Sequence, residues 1–247
     1  MIPQVYVYAT DGYTETSIKD FLTKMNPRIK WIIRSPRLKK LPKKDYLEKE
    51  LLPILTGKTG EALETFMLDE IGEHSRILTE CAAVLLEDDL DMRDAEEDQN
   101  TFLSAQQERL QAKLSAISEA GTARMICLYA APEVETWLIE DWENSFGNAR
   151  RFSQQIATQL RKPINDRKGV CGDSFERYSH HFSKKLSDWL VEQIQRLSIE
   201  YGITDVDKAF YSKKHHGSEF LRAIDPSVIE KKCRIYFAKA YHAIQNI

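Results

Sequence analysis

Residues 81–91 read CAAVLLEDDLD, an apolar run from Cys81 to Leu86 that stops against Glu87, Asp88, Asp89 and Asp91. Short apolar runs bounded by polar residues read as buried strands, typically of a parallel sheet. Ligands of open α/β sheets bind beyond the carboxyl ends of such strands. Carboxylates gathered there repel one another unless a cation or hydrogen-bond donors meet them. The stretch therefore predicts a buried strand over 82–86 that delivers one arm of a Mg²⁺ site.

Outward from it, the pattern alternates. QVYVYA at 4–9, IKWIIR at 29–34 and RMICLYA at 124–130 are rich in β-branched and aromatic residues and read as strands. Helical spacing follows at 15–24, where Thr14 is a candidate N-cap, and at 43–55, 60–74 and 98–119. Gly121 is a candidate C-cap, and Pro132 opens a further helix with Val134, Trp137, Leu138 and Ile139 on its buried side. Strand–helix alternation implies a parallel sheet with right-handed crossovers. Beyond Phe146 no strand pattern recurs: 148–161, 182–201, 218–223 and 226–244 read as helical, and the polar stretch 165–179, with Gly169 and Gly172, reads as a mobile loop. The expected architecture is an α/β domain over 1–146, a Rossmann-like, mostly parallel sheet of about four strands flanked by helices, with 147–247 as a helical extension packed on it.

Bulk properties narrow the class. At 247 residues the chain suits one large domain or a core with an appended region, and 42% hydrophobic with 30% charged residues is ordinary for a globular protein. The four cysteines, Cys81, Cys127, Cys171 and Cys233, are widely spaced with no CxxC pair, which argues for a reducing compartment and against a zinc cage. No apolar stretch nears the ~20 residues of a membrane span, and the N-terminus lacks a secretory pattern, so a cytoplasmic protein is expected. The net charge of −3 hides a basic run: Arg28, Lys30, Arg34, Arg37, Lys39, Lys40, Lys43 and Lys44 follow one another with no acid between. Such a stripe meets phosphate locally even on a near-neutral protein, and Arg34, Arg37, Lys39 and Lys40 are the candidate nucleic-acid contacts. The GKTG at 57–60 is not a phosphate loop: Leu52 stands where the first glycine is needed, and a helix rather than a strand precedes it.

Acids recur at the expected strand ends. The first strand delivers Asp11 and Glu15, the third Asp88, Asp89 and Asp91, and Glu135 begins the helix after the fourth. Neighbouring parallel strands would converge them on one edge. Mg²⁺ takes hard oxygen ligands, often one or two carboxylates with water and substrate phosphate. The competing reading is that acids after strands cap the next helix and oppose its dipole, which suits 94–98. The adjacent pairs His180-His181 and His215-His216 point apart on a helix and make poor joint ligands. A phosphoacceptor domain would want a lysine at the end of a later strand, where this chain has LYAAPE.

The ordered set of motifs resembles the TOPRIM fold. YATDGYTE is similar to the acid-Gly-x-Thr-Glu opening of TOPRIM nucleases of the OLD type, and VLLEDDLD to their DxD strand. APEVETWLIED and the tail from Tyr211 through Lys213, Ile224-Asp225 and Cys233 to Phe237 resemble an uncharacterised TOPRIM-like family encoded beside ATPases in bacterial defence loci. The resemblance implies a Mg²⁺- or Mn²⁺-dependent phosphodiesterase acting on DNA or RNA, an antiviral effector regulated by an ATPase partner and compatible with a homo-oligomer. It implies metal ligands at Asp89, Asp91, Asp11 and Glu135, with Asp88 as an alternative register, and catalytic roles for Asp11, Glu15 and Lys213. Asp11 stands where the family has a glutamate, one methylene longer. That departure leaves open a catalytically degenerate binding or regulatory module.

Overall fold

The computed structural model describes residues 2–10, 14–34, 58–91, 93–94, 98–118, 121, 123–148, 152–172, 174–180, 185–205 and 208–247. Among them, β1 (Gln4–Ala9), β2 (Lys30–Arg34), β3 (Ala83–Asp89) and β4 (Arg124–Ala130) form one sheet in the order β2-β1-β3-β4, with every neighbouring pair parallel. This is the expected α/β class. Chain order runs outward in both directions from β1 and β3, so the topological switch point lies between those two central strands.

Both faces are covered. Val5, Val7 and Ala9 of β1 join Ala83 and Leu85 of β3 and Ile126, Leu128 and Ala130 of β4 in one core. Helix α1 (Glu15–Met25) covers this face with Ile18, Phe21, Leu22 and Met25. Thr14 caps α1, its hydroxyl accepting from the Ser17 N–H. The opposite face, with Tyr6, Tyr8, Val84, Leu86, Met125, Cys127 and Tyr129, is covered by α2 (Glu61–Glu73), α3 (Ile77–Glu80) and α4 (Gln99–Ile117). Asp98 caps α4, accepting from the backbone N–H groups of Asn100 and Thr101.

The C-terminal half contains α5 (Glu135–Glu140), α6 (Gln154–Cys171), α7 (Leu186–Glu200), α8 (Ser218–Ala223), α9 (Pro226–Lys232) and α10 (Phe237–Gln245). Their apolar sides belong to the same core as the α1 face of the sheet, a cluster that runs from Val5 to Ile244. Trp137 is its hub, stacked on Phe21 at 5.6 Å and edge-on to Phe237 at 5.2 Å. No helix among the described residues is long and apolar enough to cross a membrane.

Three expectations change. The third strand does not stop at Leu86: its ladder with β4 continues to Asp89 opposite Ala130, so Glu87, Asp88 and Asp89 lie within a buried strand. The polar stretch expected as a loop is largely helical, because Ile156, Leu160, Ile164 and Cys171 keep a buried stripe along α6. Gly172, at φ 81 and ψ −145, ends that helix in a region open essentially to glycine alone. The single helix expected over 226–244 is two, because the Glu176 carboxylate accepts the N–H groups of Ile235, Tyr236 and Phe237 and thereby starts α10 afresh. The helix expected over 43–55 lies outside the described residues.

Candidate functional site

Side chains alternate along a strand, so the acids of β3 divide between the two faces. Asp88 follows Val84 and Leu86 toward α2. Fully buried, it accepts from the Gly60 N–H at 2.9 Å and pairs with the Arg93 guanidinium. Burial pushes its carboxyl up to about 6, with Arg93 opposing the rise. Arg93 also donates to the Asp89 carbonyl at 2.7 Å, which ties the strand end to the turn that follows.

Glu87 and Asp89 follow Ala83 and Leu85 to the α1 face, at the carboxyl edge beside the switch point. They are 1% and 5% exposed. Glu87 sits opposite Ala9 in the register and accepts from the Thr10 N–H at 3.3 Å, so the end of β1 is held against the acidic end of β3. Asp89 accepts from the Val134 N–H at 2.9 Å, which fixes the approach to α5. Its other oxygen pairs with the Lys213 ammonium.

Lys213 begins a π-helical turn (Lys213–Gly217) ahead of α8. Its Nζ also stands 3.9 Å from Glu135 Oε2, while Glu135 Oε1 accepts from the Tyr211 hydroxyl at 2.7 Å. Glu133, two residues before, accepts from both the backbone N–H and the hydroxyl of Ser187, at 2.7 and 3.0 Å. Four carboxylates, Glu87, Asp89, Glu133 and Glu135, thus surround one edge of the sheet with Lys213 among them.

The electrostatics follow from burial and like charge. Burial pushes Glu87 well above the usual carboxylate range, Asp89 and Asp88 add to it, and Lys213 and the Thr10 N–H oppose it. Glu135 is raised for the same first reason, with Lys213 opposing and Asp89 adding. Glu133 is pushed up to about 7 by burial and then by Glu135. Burial alone would lower the Lys213 ammonium, but Asp89, Glu135 and Glu133 outweigh it and hold Lys213 charged well above its ordinary range. A carboxyl near neutrality can hold or release a proton under working conditions.

The donor chemistry suits a hard divalent cation. Glu87 Oε1 and Glu135 Oε2 are buried oxygens with no hydrogen-bond partner among the described residues, and carboxylate oxygen is what Mg²⁺ takes. Protons held by raised carboxyls are those that a cation displaces on binding. Among the described residues, no three or more His, Cys, Asp or Glu side chains already stand together so as to hold a metal ion.

The sequence-derived candidates are distributed unevenly. Asp89, Glu135 and Lys213 come together. Asp91 lies past the strand in a turn at φ 46, its N–H donating to the Pro132 carbonyl and its carboxylate bonded to Lys185 Nζ at 2.9 Å. Asp91 and Asp89 are therefore not a same-face strand pair; Glu87 and Asp89 are. Glu15 is exposed in the first turn of α1. Arg34 ends β2, pairs with Glu70 at 3.3 Å and lies over the Tyr6 ring. Asp11, Arg37, Lys39 and Lys40 lie outside the described residues. The sequence reading gave Glu87, Glu133 and Tyr211 no ligand or catalytic role of their own. Period-two spacing from Leu85 would have singled out Glu87 had the strand been carried through the acids; nothing in the local pattern pairs Tyr211 with Glu135. No family model matches this sequence, and no curated protein or solved structure matches it.

Proposed function

We propose that the chain is a metal-dependent phosphodiester hydrolase acting on nucleic acid. One observation carries the reading: Glu87 and Asp89 share a face at the carboxyl end of β3, beside the switch point, and meet Glu133, Glu135 and Lys213 there. Asp89, Glu87 and Glu135 would hold Mg²⁺ or Mn²⁺, with Asp11 and Asp91 as the further ligands that the resemblance to TOPRIM nucleases implies. When bound by these carboxylates, such an ion would supply positive charge against a phosphoryl group and would activate water. The chain's own groups do the rest. Lys213, held cationic, places positive charge at the reaction edge, where charge develops on a transferring phosphate. Glu133, anchored by Ser187, takes or returns a proton near neutral pH, and Glu15 at the head of α1 is the second proton-handling candidate. The basic run through Arg34, Arg37, Lys39 and Lys40 would meet the nucleic-acid backbone. A cytoplasmic effector controlled by an ATPase partner, and able to self-associate, completes the reading on the strength of the resemblance alone.

The test is cleavage of single-stranded and duplex DNA, RNA and tRNA with Mg²⁺ and Mn²⁺, for the parent and for Glu87→Gln and Asp89→Asn. Loss of an electrostatic group at the reacting phosphate predicts a fall on the order of 10²-fold or more. Metal-dependent cleavage that survives both substitutions removes this site assignment.

A second reading has its own support: Lys213 already compensates Asp89 from within the chain, as in a structural ionic cluster of a non-catalytic binding module. Titration calorimetry separates the two. A binding module gives no heat of Mg²⁺ or Mn²⁺ beyond dilution, whereas the hydrolase takes up the ion and releases protons.

A further inference from the structure

We propose that the groove along α9 and the start of α10 docks the phosphate backbone of a nucleic acid. Two adjoining hollows of 250 and 420 Å³ share Arg234. Arg177 and Lys232 line the smaller, and Lys231, Lys239 and His242 the larger. Arg177, Lys231, Lys232, Arg234 and Lys239 are all exposed. Several of their hydrogen bonds go to uncharged acceptors: Lys232 to the Glu140 carbonyl, Arg234 Nε to the Lys231 carbonyl at 3.1 Å, Lys239 to Asn100 Oδ1 at 2.8 Å. These bonds aim the side chains without neutralising them.

The acids at the groove are otherwise engaged. Glu176 turns its carboxylate inward onto three backbone N–H groups, and Glu230 lies 3.0 Å from His242. On a chain of net charge −3, five exposed bases in two joined hollows form a local positive stripe, the electrostatic footprint that a polyanion follows.

The chemistry of the lining favours phosphate over a protein partner. Protein interfaces take their energy from buried aromatic and aliphatic anchors. Apart from Gly172, the apolar lining residues here are Ala238 and Ile235, with no Phe, Tyr or Trp among those described. Bases on short helices with a polar floor suit contacts that position a backbone without reading sequence. The groove also abuts the two elements that lead to the acidic edge: Lys239 reaches Asn100 at the start of α4, and Lys232 reaches the last residue of α5, which begins with Glu135. The inference rests on the nucleic-acid reading of that edge and adds where the backbone is held outside it.

Binding is measured in EDTA, where cleavage plays no part, by fluorescence anisotropy of labelled single-stranded and duplex oligonucleotides across a salt series. The parent is expected to bind with affinity that falls as salt rises. Lys231→Gln, Arg234→Gln and Lys239→Gln each reduce affinity several-fold on every sequence and lower the salt slope by about one, and the triple variant loses roughly 10²-fold. Lys19→Gln, at an exposed position of α1, leaves binding unchanged. Unchanged affinity and slope in the triple variant, with the circular dichroism of the parent, overturn the groove while leaving the cleavage reading intact; a parent that binds no oligonucleotide at low salt overturns the groove and counts against the nucleic-acid reading as well. Poly-glutamate held by the parent more tightly than oligonucleotide, and lost in the triple variant, overturns the proposal in favour of an acidic protein partner.

Discussion

Replacing Lys213 with methionine keeps the aliphatic stem and removes the charge that meets Asp89 and Glu135. Breaking a buried ion pair costs roughly 3–5 kcal/mol, because the remaining partner is left buried and uncompensated. The Lys213 side chain is 25% exposed, so water screens part of that loss and the lower end applies, about 3 kcal/mol near pH 8. For a chain of this size that lowers Tm by about 6–12 °C.

The cost of that substitution must depend on pH. A carboxyl raised in the folded state contributes stability that is complete below its ordinary pKa and lost as pH rises through the folded value. For Glu133 this window runs from 4.5 to about 7 in the parent, and Glu87 and Glu135 shift in the same direction. Removing Lys213, which opposes all three, moves the windows upward. The deficit of Lys213→Met is therefore smaller near pH 5, where Glu133 and the raised carboxyls Glu87 and Glu135 bind more protons in both proteins, than near pH 8, a change on the order of 2 kcal/mol. Urea unfolding of both proteins at pH 5, 6.5 and 8 measures it. A deficit under about 1 kcal/mol at pH 8, or an equal deficit at pH 5 and pH 8, would refute the compensated-cluster reasoning.

Four further outcomes are expected. Glu176→Ala strands the N–H groups of Ile235, Tyr236 and Phe237 at the start of α10 and costs about 3 kcal/mol in urea unfolding; a cost under about 1 would mean water replaces the carboxylate freely. Trp137→Ala opens the core hub and costs about 3–5 kcal/mol, and calorimetric Tm reads it. Trp137→Phe costs under about 1.5 kcal/mol, because the buried indole N–H has no hydrogen-bond partner among the described residues to lose. Asp98→Ala removes the cap of α4 and costs about 1 kcal/mol, read as faster amide exchange in the first turn of that helix rather than across the sheet.

The sequence by itself determined the four strands, their parallel arrangement and the cap at Thr14. Each depends on signals within a few residues: β-branched runs, period-two alternation, and a side-chain oxygen placed ahead of a helical pattern. It also located the acidic edge, since Asp89, Glu135 and Lys213 were candidates before any contact was known. Tertiary structure decided what those acids are to one another. A run of three carboxylates reads locally as the end of a strand, because buried charge is costly; here the strand continues because the compensating groups come from elsewhere. Arg93 and the Gly60 N–H meet Asp88 on one face, and the Thr10 and Val134 N–H groups meet Glu87 and Asp89 on the other. Lys213 reaches Asp89 across 124 positions of chain. Likewise the break at 233–236 needs Glu176, whose carboxylate binds backbone some sixty residues away, at separations of 59, 60 and 61. Hydrophobic periodicity is a local property and survives in one dimension. Charge compensation is a property of proximity, and only the folded chain brings together the residues that supply it.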